Sequence, residues 1–297
     1  MGSPKDPNDP SVPSGIVVGT LVPHPVSGAS SPSTPPGAAS MKDLWQQVST
    51  PEHRALHGVD DASQETSRPV YRLPQKFGKY TLVKRLGVGG MAEAFLAQQD
   101  GPLGFQKMCV VKRMLPHIAE EPRFVTMFQR EAKVAAMLTH TNVVQIYELG
   151  VEDGIHFIAM EHVDGAPLHK LARAAWRQGK ALPTEAICCA VADAALGLAA
   201  AHELRDQNGV HLNVVHRDIS PDNLMINKEG VTKILDFGVA KLVGGEKTAT
   251  GEVKGKIPFL APEHILGQPL DGRADIYALG VTFYWLTTGK RPFHAPG

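Results

Sequence analysis

Neither sign of charge is in excess: the 297 residues carry 30 Lys and Arg against 30 Asp and Glu, a formal net charge of zero. A protein that grips nucleic acid or polyphosphate without specificity needs a basic surplus, so no nucleic-acid partner is expected. Cysteine is scarce. Cys109, Cys188 and Cys189 form neither an even disulfide framework nor spaced metal pairs. They read as buried thiols of a reducing compartment, which makes the cytoplasm the expected location. The N-terminal residues lack the apolar core of a secretory signal. The longest apolar-looking run, AICCAVADAALGLAAAH, is broken by Asp193 and is too short and Ala-rich for a membrane span. It is expected to be a buried helix, leaving no membrane segment in the chain.

What is present divides into a tail and an ordered part. Residues 1–40 are dominated by Pro, Ser, Gly and Ala, and such a segment buries too little apolar area to offset the entropy of ordering. Residues 41–76 add one helix-like patch, MKDLWQQV, in otherwise polar sequence, so 1–76 is expected to be disordered tail and linker. Order is expected from Phe77. KYTLVKRLG and AEAFLAQQD read as strands flanking the turn GVGG, and MCVVKRM as a third. PRFVTMFQREAKVAAMLTH reads as a helix, and VVQIYELGV and IHFIAMEHV as two strands joined at Glu152–Gly154. From Leu168 the pattern turns helical: EAICCAVADAALGLAAAHEL and ADIYALGVTFYWLTTG are helices, with short strand pieces around VVH, LMIN and KILD. A strand-rich front and helix-rich back predict two unequal lobes, about 77–161 and 162–297.

Chemistry-bearing residues recur along this frame. Gly87, Gly89 and Gly90 lie between two strands, where a loop backbone approaches a phosphate closely. Lys112 ends an apolar strand. Glu131 falls inside the apolar helical stripe of Phe124, Phe128, Ala135 and Leu138, where an unpaired carboxylate is costly, and a lysine on a neighbouring strand is its natural partner. HRDISPDN and LDFG supply Asp218, Asn223 and Asp236, oxygen-bearing side chains of the kind hard divalent cations take. A carboxylate held off the metal orients a hydroxyl nucleophile and accepts its proton.

In this order the motifs resemble those of the eukaryotic-type protein kinases, and more narrowly the bacterial serine/threonine kinases of myxobacteria, from about Tyr80 to the end of the chain. The resemblance implies an α+β fold of two lobes: a small antiparallel sheet with one helix, and a larger, mainly helical lobe. It also implies γ-phosphoryl transfer from ATP, with Mg²⁺ or Mn²⁺, to Ser/Thr of protein substrates, and self-association for trans-autophosphorylation. By the same resemblance Leu86, Gly87, Val88, Gly89, Gly90, Met91, Ala92 and Glu93 form the phosphate loop. Lys112 holds the α- and β-phosphates, with Glu131 as its partner. Leu86, Ala94, Val110 and Met225 line the adenine slot, Met160 is the gatekeeper, and Glu161–Val163 the hinge. Asp218 is the catalytic base, Asn223 and Asp236 are metal ligands, and Asp275 anchors the catalytic loop.

Four features depart from the family. Ala92 stands in place of the third loop glycine. Ala94 and Val110 reverse the usual large and small residues over adenine. Ser220 stands where the catalytic-loop lysine belongs, while Lys256 in GKIPFLAPE stands where a threonine belongs. The two residue types have changed places, so Lys256 is expected to return the missing cation to the site. Finally, the chain ends at Gly297 where the family continues with further helices, so the lobe reads as truncated and Glu263 of the APE triplet needs a substitute partner. Thr248 and Thr250 are the only hydroxyl residues between Gly238 and Ala261, and a phosphate there would pair with Arg217. The alternative reading is a pseudokinase, an ATP-binding scaffold without chemistry.

Overall fold

The computed structural model describes residues 72–237 and 257–293. Six strands come first: β1 (Gln75–Phe77), β2 (Tyr80–Val88), β3 (Ala92–Asp100), β4 (Gln106–Met114), β5 (Ile146–Glu152) and β6 (Ile155–Glu161). They form one antiparallel sheet in the order β1-β2-β3-β4-β6-β5. The two-residue periodicity of a strand puts alternate side chains on opposite faces, and β4 shows the consequence. Cys109 and Val111 join Phe77, Tyr80, Leu82, Phe95, Ala97, Phe157 and Ala159 on one face. Val110 and Met114 face the other way, toward Phe128, Ala132, Ile158 and Met160. Phe128 and Ala132 belong to α2 (Pro122–Met137), which follows the single turn α1 (Pro116–Ala119). Proline at the first position starts α2, since its missing N–H would have no helical partner there. Its buried stripe is Phe124, Phe128, Glu131, Ala132 and Ala135.

The larger part is helical. β7 (Gly165–Pro167), β8 (Leu224–Asn227) and β9 (Thr232–Ile234) make a small sheet, and α3 (Leu168–Arg177), α4 (Thr184–His202), the turn α5 (Pro262–Ile265) and α6 (Gly272–Thr288) surround it. Their core joins Leu168, Leu171, Leu198, Ile219, Leu224, Ile234, Phe237 and Leu286. α6 is delimited at both ends: the Asp271 side chain accepts from the Arg273 backbone N–H, and Gly289 closes the helix at φ 68°. The α+β, two-lobed architecture is the expected one.

Three sequence expectations are corrected. VVH at 214–216 is loop, not strand: the His216 N–H goes to a carboxylate on α6, as does that of Arg217 just after it. Only Cys109 is buried. On α4 the buried stripe is Ile187, Ala190, Ala194, Gly197, Leu198 and Ala201, so Cys188 and Cys189 fall on the exposed side. α4 is therefore buried along one face, not all round. It is long and apolar enough to cross a membrane by length and composition, yet that stripe is part of the protein core. Strand order also begins slightly earlier than expected, at Gln75. The tail residues 1–71, MKDLWQQV among them, lie outside the described residues.

Candidate active site

The loop after α4 is held from below by Asp275, a carboxylate on the first turn of α6 that is 1 % exposed. Its Oδ2 accepts from the His216 backbone N–H and its Oδ1 from that of Arg217, both at 2.8 Å. His202, at the end of α4, meets Oδ2 at 2.9 Å. The clamped backbone takes an unusual shape, with Arg217 at φ 68°. A non-glycine residue pays of order 1–3 kcal/mol for such a conformation, which persists only where the surroundings impose it. His216 is fully buried between neighbours. Its Nδ1 accepts from the Asp218 N–H at 3.2 Å, so its proton sits on Nε2, which donates to Leu235 O at 2.8 Å. Burial holds this imidazole below the usual histidine pKa, so it stays neutral. The ring also packs against Phe237, with centroids 4.7 Å apart.

This scaffold presents Asp218. Asn223 Nδ2 donates to Asp218 Oδ2 and to its carbonyl, each at 2.7 Å. With the amide nitrogen so used, the oxygen of Asn223 is what the side chain offers a cation. Asp236 follows β9 at φ 40°, and its Oδ1 lies 3.0 Å from Lys112 Nζ. Glu131 Oε1 is farther from the same nitrogen, at 3.9 Å. Lys112 is thus shared, and Asp236 is the nearer partner. Burial works against its charge, but Asp236 and Glu131 outweigh burial and raise its pKa above the ordinary lysine value.

Above these groups runs the glycine-rich turn between β2 and β3. A Cβ at Gly87 or Gly90 would meet nothing within 4 Å, and at Gly89 only Ala92 O at 3.5 Å. None of the three has positive φ. Neither packing nor backbone conformation within the chain therefore calls for glycine here. The bare backbone suits a group that comes from outside, as phosphate does. Below the turn, Ala92, Met160 and Val163 are buried together with Val110 and Met225 packed against them, while Leu86 and Val88 remain half exposed. Ala94, opposite Lys112 in the β3–β4 ladder, is partly buried. The oxygen donors Asn223 and Asp236 suit Mg²⁺, which takes few protein ligands and completes its shell with phosphate and water. No cluster of three His, Cys, Asp or Glu side chains able to hold an ion occurs among the described residues, in keeping with that pattern.

Two residues of the expected phosphate and hinge set turn elsewhere. The Glu93 side chain lies on the opposite face of β3 from Ala94, in a buried ion pair with Arg113, so it does not enter the cleft. Glu161 points its carboxylate at Lys233 Nζ (3.0 Å) and the Gln145 N–H (3.2 Å), and its own N–H donates to Gln145 O at 2.8 Å, so neither its side chain nor its N–H is turned to a nucleotide. The Met91 carbonyl is taken by the Leu115 N–H at 3.0 Å. Glu263 has a cation nearby: it supports the charge of Arg273, whose first partner is Asp271. His202, Lys233 and the Leu235 carbonyl were not legible in the sequence, since each acts on a residue many positions away. Gly238, Thr248, Thr250 and Lys256 lie outside the described residues.

The model of the protein kinase domain matches residues 80–297. The tyrosine-protein kinase MasK of Myxococcus xanthus is 48 % identical over 222 residues, 74 % of this chain and 34 % of that protein. The serine/threonine-protein kinase PksC of Streptomyces coelicolor is 36 % identical over 225 residues, 73 % of this chain and 38 % of that protein. The chain thus spans little more than a third of these relatives. Among solved structures, the Mycobacterium tuberculosis PknI kinase domain superposes with a TM-score of 0.55 at 31 % identity, covering 76 % of this chain and 80 % of that one.

Proposed function

The chain belongs to the protein kinase family, and from that premise we propose that it transfers the γ-phosphoryl group of ATP to serine and threonine hydroxyls of proteins. The observation that carries the reading is the 3.0 Å contact of Lys112 with Asp236. It brings a phosphate-holding cation and a metal-holding carboxylate to one point from opposite lobes. Bound Mg²⁺ or Mn²⁺ would neutralise charge on the transferring phosphates. Asn223 and Asp236 would hold it. Lys112 exchanges carboxylate for phosphate oxygens, and Glu131 keeps it oriented. Asp218, fixed by Asn223, orients the acceptor hydroxyl and takes its proton.

Ser220 stands in place of the lysine of serine/threonine kinases. It is completely buried, and its Oγ has no hydrogen-bond partner among the described residues. We assign the compensating cation to Lys256 from the exchange of residue types alone. Phosphorylation of Thr248 or Thr250, by a second copy, is the proposed activation step, with Arg217 as the counter-charge.

The test is incubation of the full chain with γ-labelled ATP and Mg²⁺, with Asp218→Asn as control, followed by acid hydrolysis of labelled protein. Phosphoserine or phosphothreonine that requires Asp218 is expected. Phosphotyrosine would place the chain with MasK in acceptor choice, and nucleotide binding without transfer would leave the pseudokinase reading.

A further inference from the structure

The back of the nucleotide lobe holds a group that the phosphoryl-transfer reading does not use. Glu93 and Arg113 face each other across β3 and β4, with Arg113 Nη2 2.8 Å from Glu93 Oε1. The two side chains are only 3 % and 6 % exposed. The guanidinium lies over two rings, 4.6 Å from the centroid of Phe95 and 5.3 Å from that of Phe77. Apolar residues of similar volume would serve stability as well as a buried ion pair or better, because both charges must be stripped of water. What an ion pair adds is fixed geometry. The guanidinium is a planar fork, and here its plane is further set by the stacked rings.

The position of this pair gives that geometry a use. One residue along the same ladder, Ala94 is paired with Lys112. The two strands therefore carry, on opposite faces of adjacent rungs, the buried ion pair and the cleft pair of lysine and adenine-roof residue. The return strand of the glycine-rich turn also has only one regular neighbour. Its pairing with β4 is unbroken from Ala92–Met114 to Asp100–Gln106, whereas its pairing with β2 breaks register between Leu82 and Lys84 and again between Arg85 and Gly87. β4 thus gives β3 its one unbroken register, while β2 still pairs with it at Gly87–Ala94 and Val88–Glu93. The backbone bond from Leu115 N to Met91 O extends that ladder to the turn itself.

We propose that the Glu93–Arg113 pair is a positioning device: it locks the return strand of the glycine-rich turn to the strand bearing Lys112, and so sets the distance between turn and lysine that a nucleotide triphosphate meets. The proposal rests on the phosphoryl-transfer reading for its consequence, though not for its mechanical part. Phe77 gives it a second element. This ring belongs to β1, which precedes the region matched by the kinase domain, 80–297. Residues outside the matched region therefore roof the pair and take part in setting the nucleotide site.

Three variants of the full chain test this: Arg113→Met, Glu93→Gln/Arg113→Met, and Arg113→Lys. The double variant removes both charges, so it leaves no unpaired ion to unfold the lobe. Amide hydrogen exchange without nucleotide should rise about tenfold over residues 87–93 in the first two variants, with α4 and α6 unchanged, a local rather than global opening. The KM for ATP should rise about tenfold with a smaller change in kcat, the mark of lost ground-state positioning. Arg113→Lys keeps the charge but loses the planar fork, so it should fall between the parent and Arg113→Met on both readouts. A double variant with parental exchange in 87–93 and parental KM overturns the proposal, whatever its melting temperature. If no variant, the parent included, transfers phosphate, the functional reading fails, and the exchange measurement still decides whether the pair holds the turn.

Discussion

Lys112 keeps its charge in a buried setting because two carboxylates face it. Its raised pKa means that it contributes stability below the ordinary lysine value of about 10.4, a contribution lost only as pH rises through the higher folded value. No ionisation of Lys112 should therefore appear in the pH–rate profile between about pH 6 and 9. Lys112→Met should cut transfer at saturating ATP by about 100-fold or more while leaving the folded circular dichroism spectrum in place. His216 has the opposite linkage. Held neutral by burial, it supports the fold above its unfolded pKa of about 6.5, and that support is lost as pH falls below this value toward the depressed folded pKa. The melting temperature of the parent should fall more steeply than that of His216→Phe between about pH 7 and 5. Equal slopes would remove His216 from the account. Two features at this scale were beyond sequence reading. Glu93 looked like part of the phosphate loop by position, and only the pleat of β3 sends its side chain to the far face. Lys112 was paired with Glu131 from the helical stripe, yet the lobe geometry brings Asp236 closer.

At the scale of elements, the catalytic loop owes its form to α6. Asp275 alone takes two backbone donors and His202. Asp275→Ala would orphan those donors in a buried site and should cost about 3 kcal/mol or more in urea unfolding, with loss of transfer even where the protein remains folded. The small sheet has its own constraint. A Cβ on Gly165 would sit 2.0 Å from the carbonyl oxygen of Ile226, which is β8 backbone and has little room to retreat. Gly165→Ala should destabilise by about 1–3 kcal/mol and disturb β8, whose Met225 packs against the cluster of Met160 and Val163. A melting temperature equal to the parent's would show that β7 moves freely. Elements were well legible where periodicity was strong. AEAFLAQQD is β3 residue for residue, and α2 buries Phe124, Phe128, Glu131 and Ala135 as its spacing predicts, with Ala132 added and Leu138 just past the helix end. VVH misled because two adjacent valines read as strand, while the N–H of His216 is taken by a side chain from another helix.

For the whole molecule, the site is an agreement between two lobes, so a ligand that bridges them should stabilise the whole. Mg·ATP at about 100 times its Kd should add about 2.7 kcal/mol to unfolding, measured as a rise in melting temperature. Lys112→Met and Asp236→Asn should each lose most of that rise. A rise that survives both substitutions would place the nucleotide elsewhere. The sequence by itself determined most of the order of strands and helices, the short β1 and β7 and the VVH loop apart, the two-lobed fold, and which residue types could perform the chemistry. Those properties are local: hydrophobic period, turn residues and short motifs are carried by neighbours along the chain. Tertiary structure alone decided which partner each charge takes. Asp236 lies nearer to Lys112 than Glu131 does, Arg113 takes Glu93, Lys233 takes Glu161, and Asp275 takes the catalytic-loop backbone with His202. Such choices depend on distance and burial between segments far apart in sequence, where Coulomb energy and desolvation change steeply over an ångström or two.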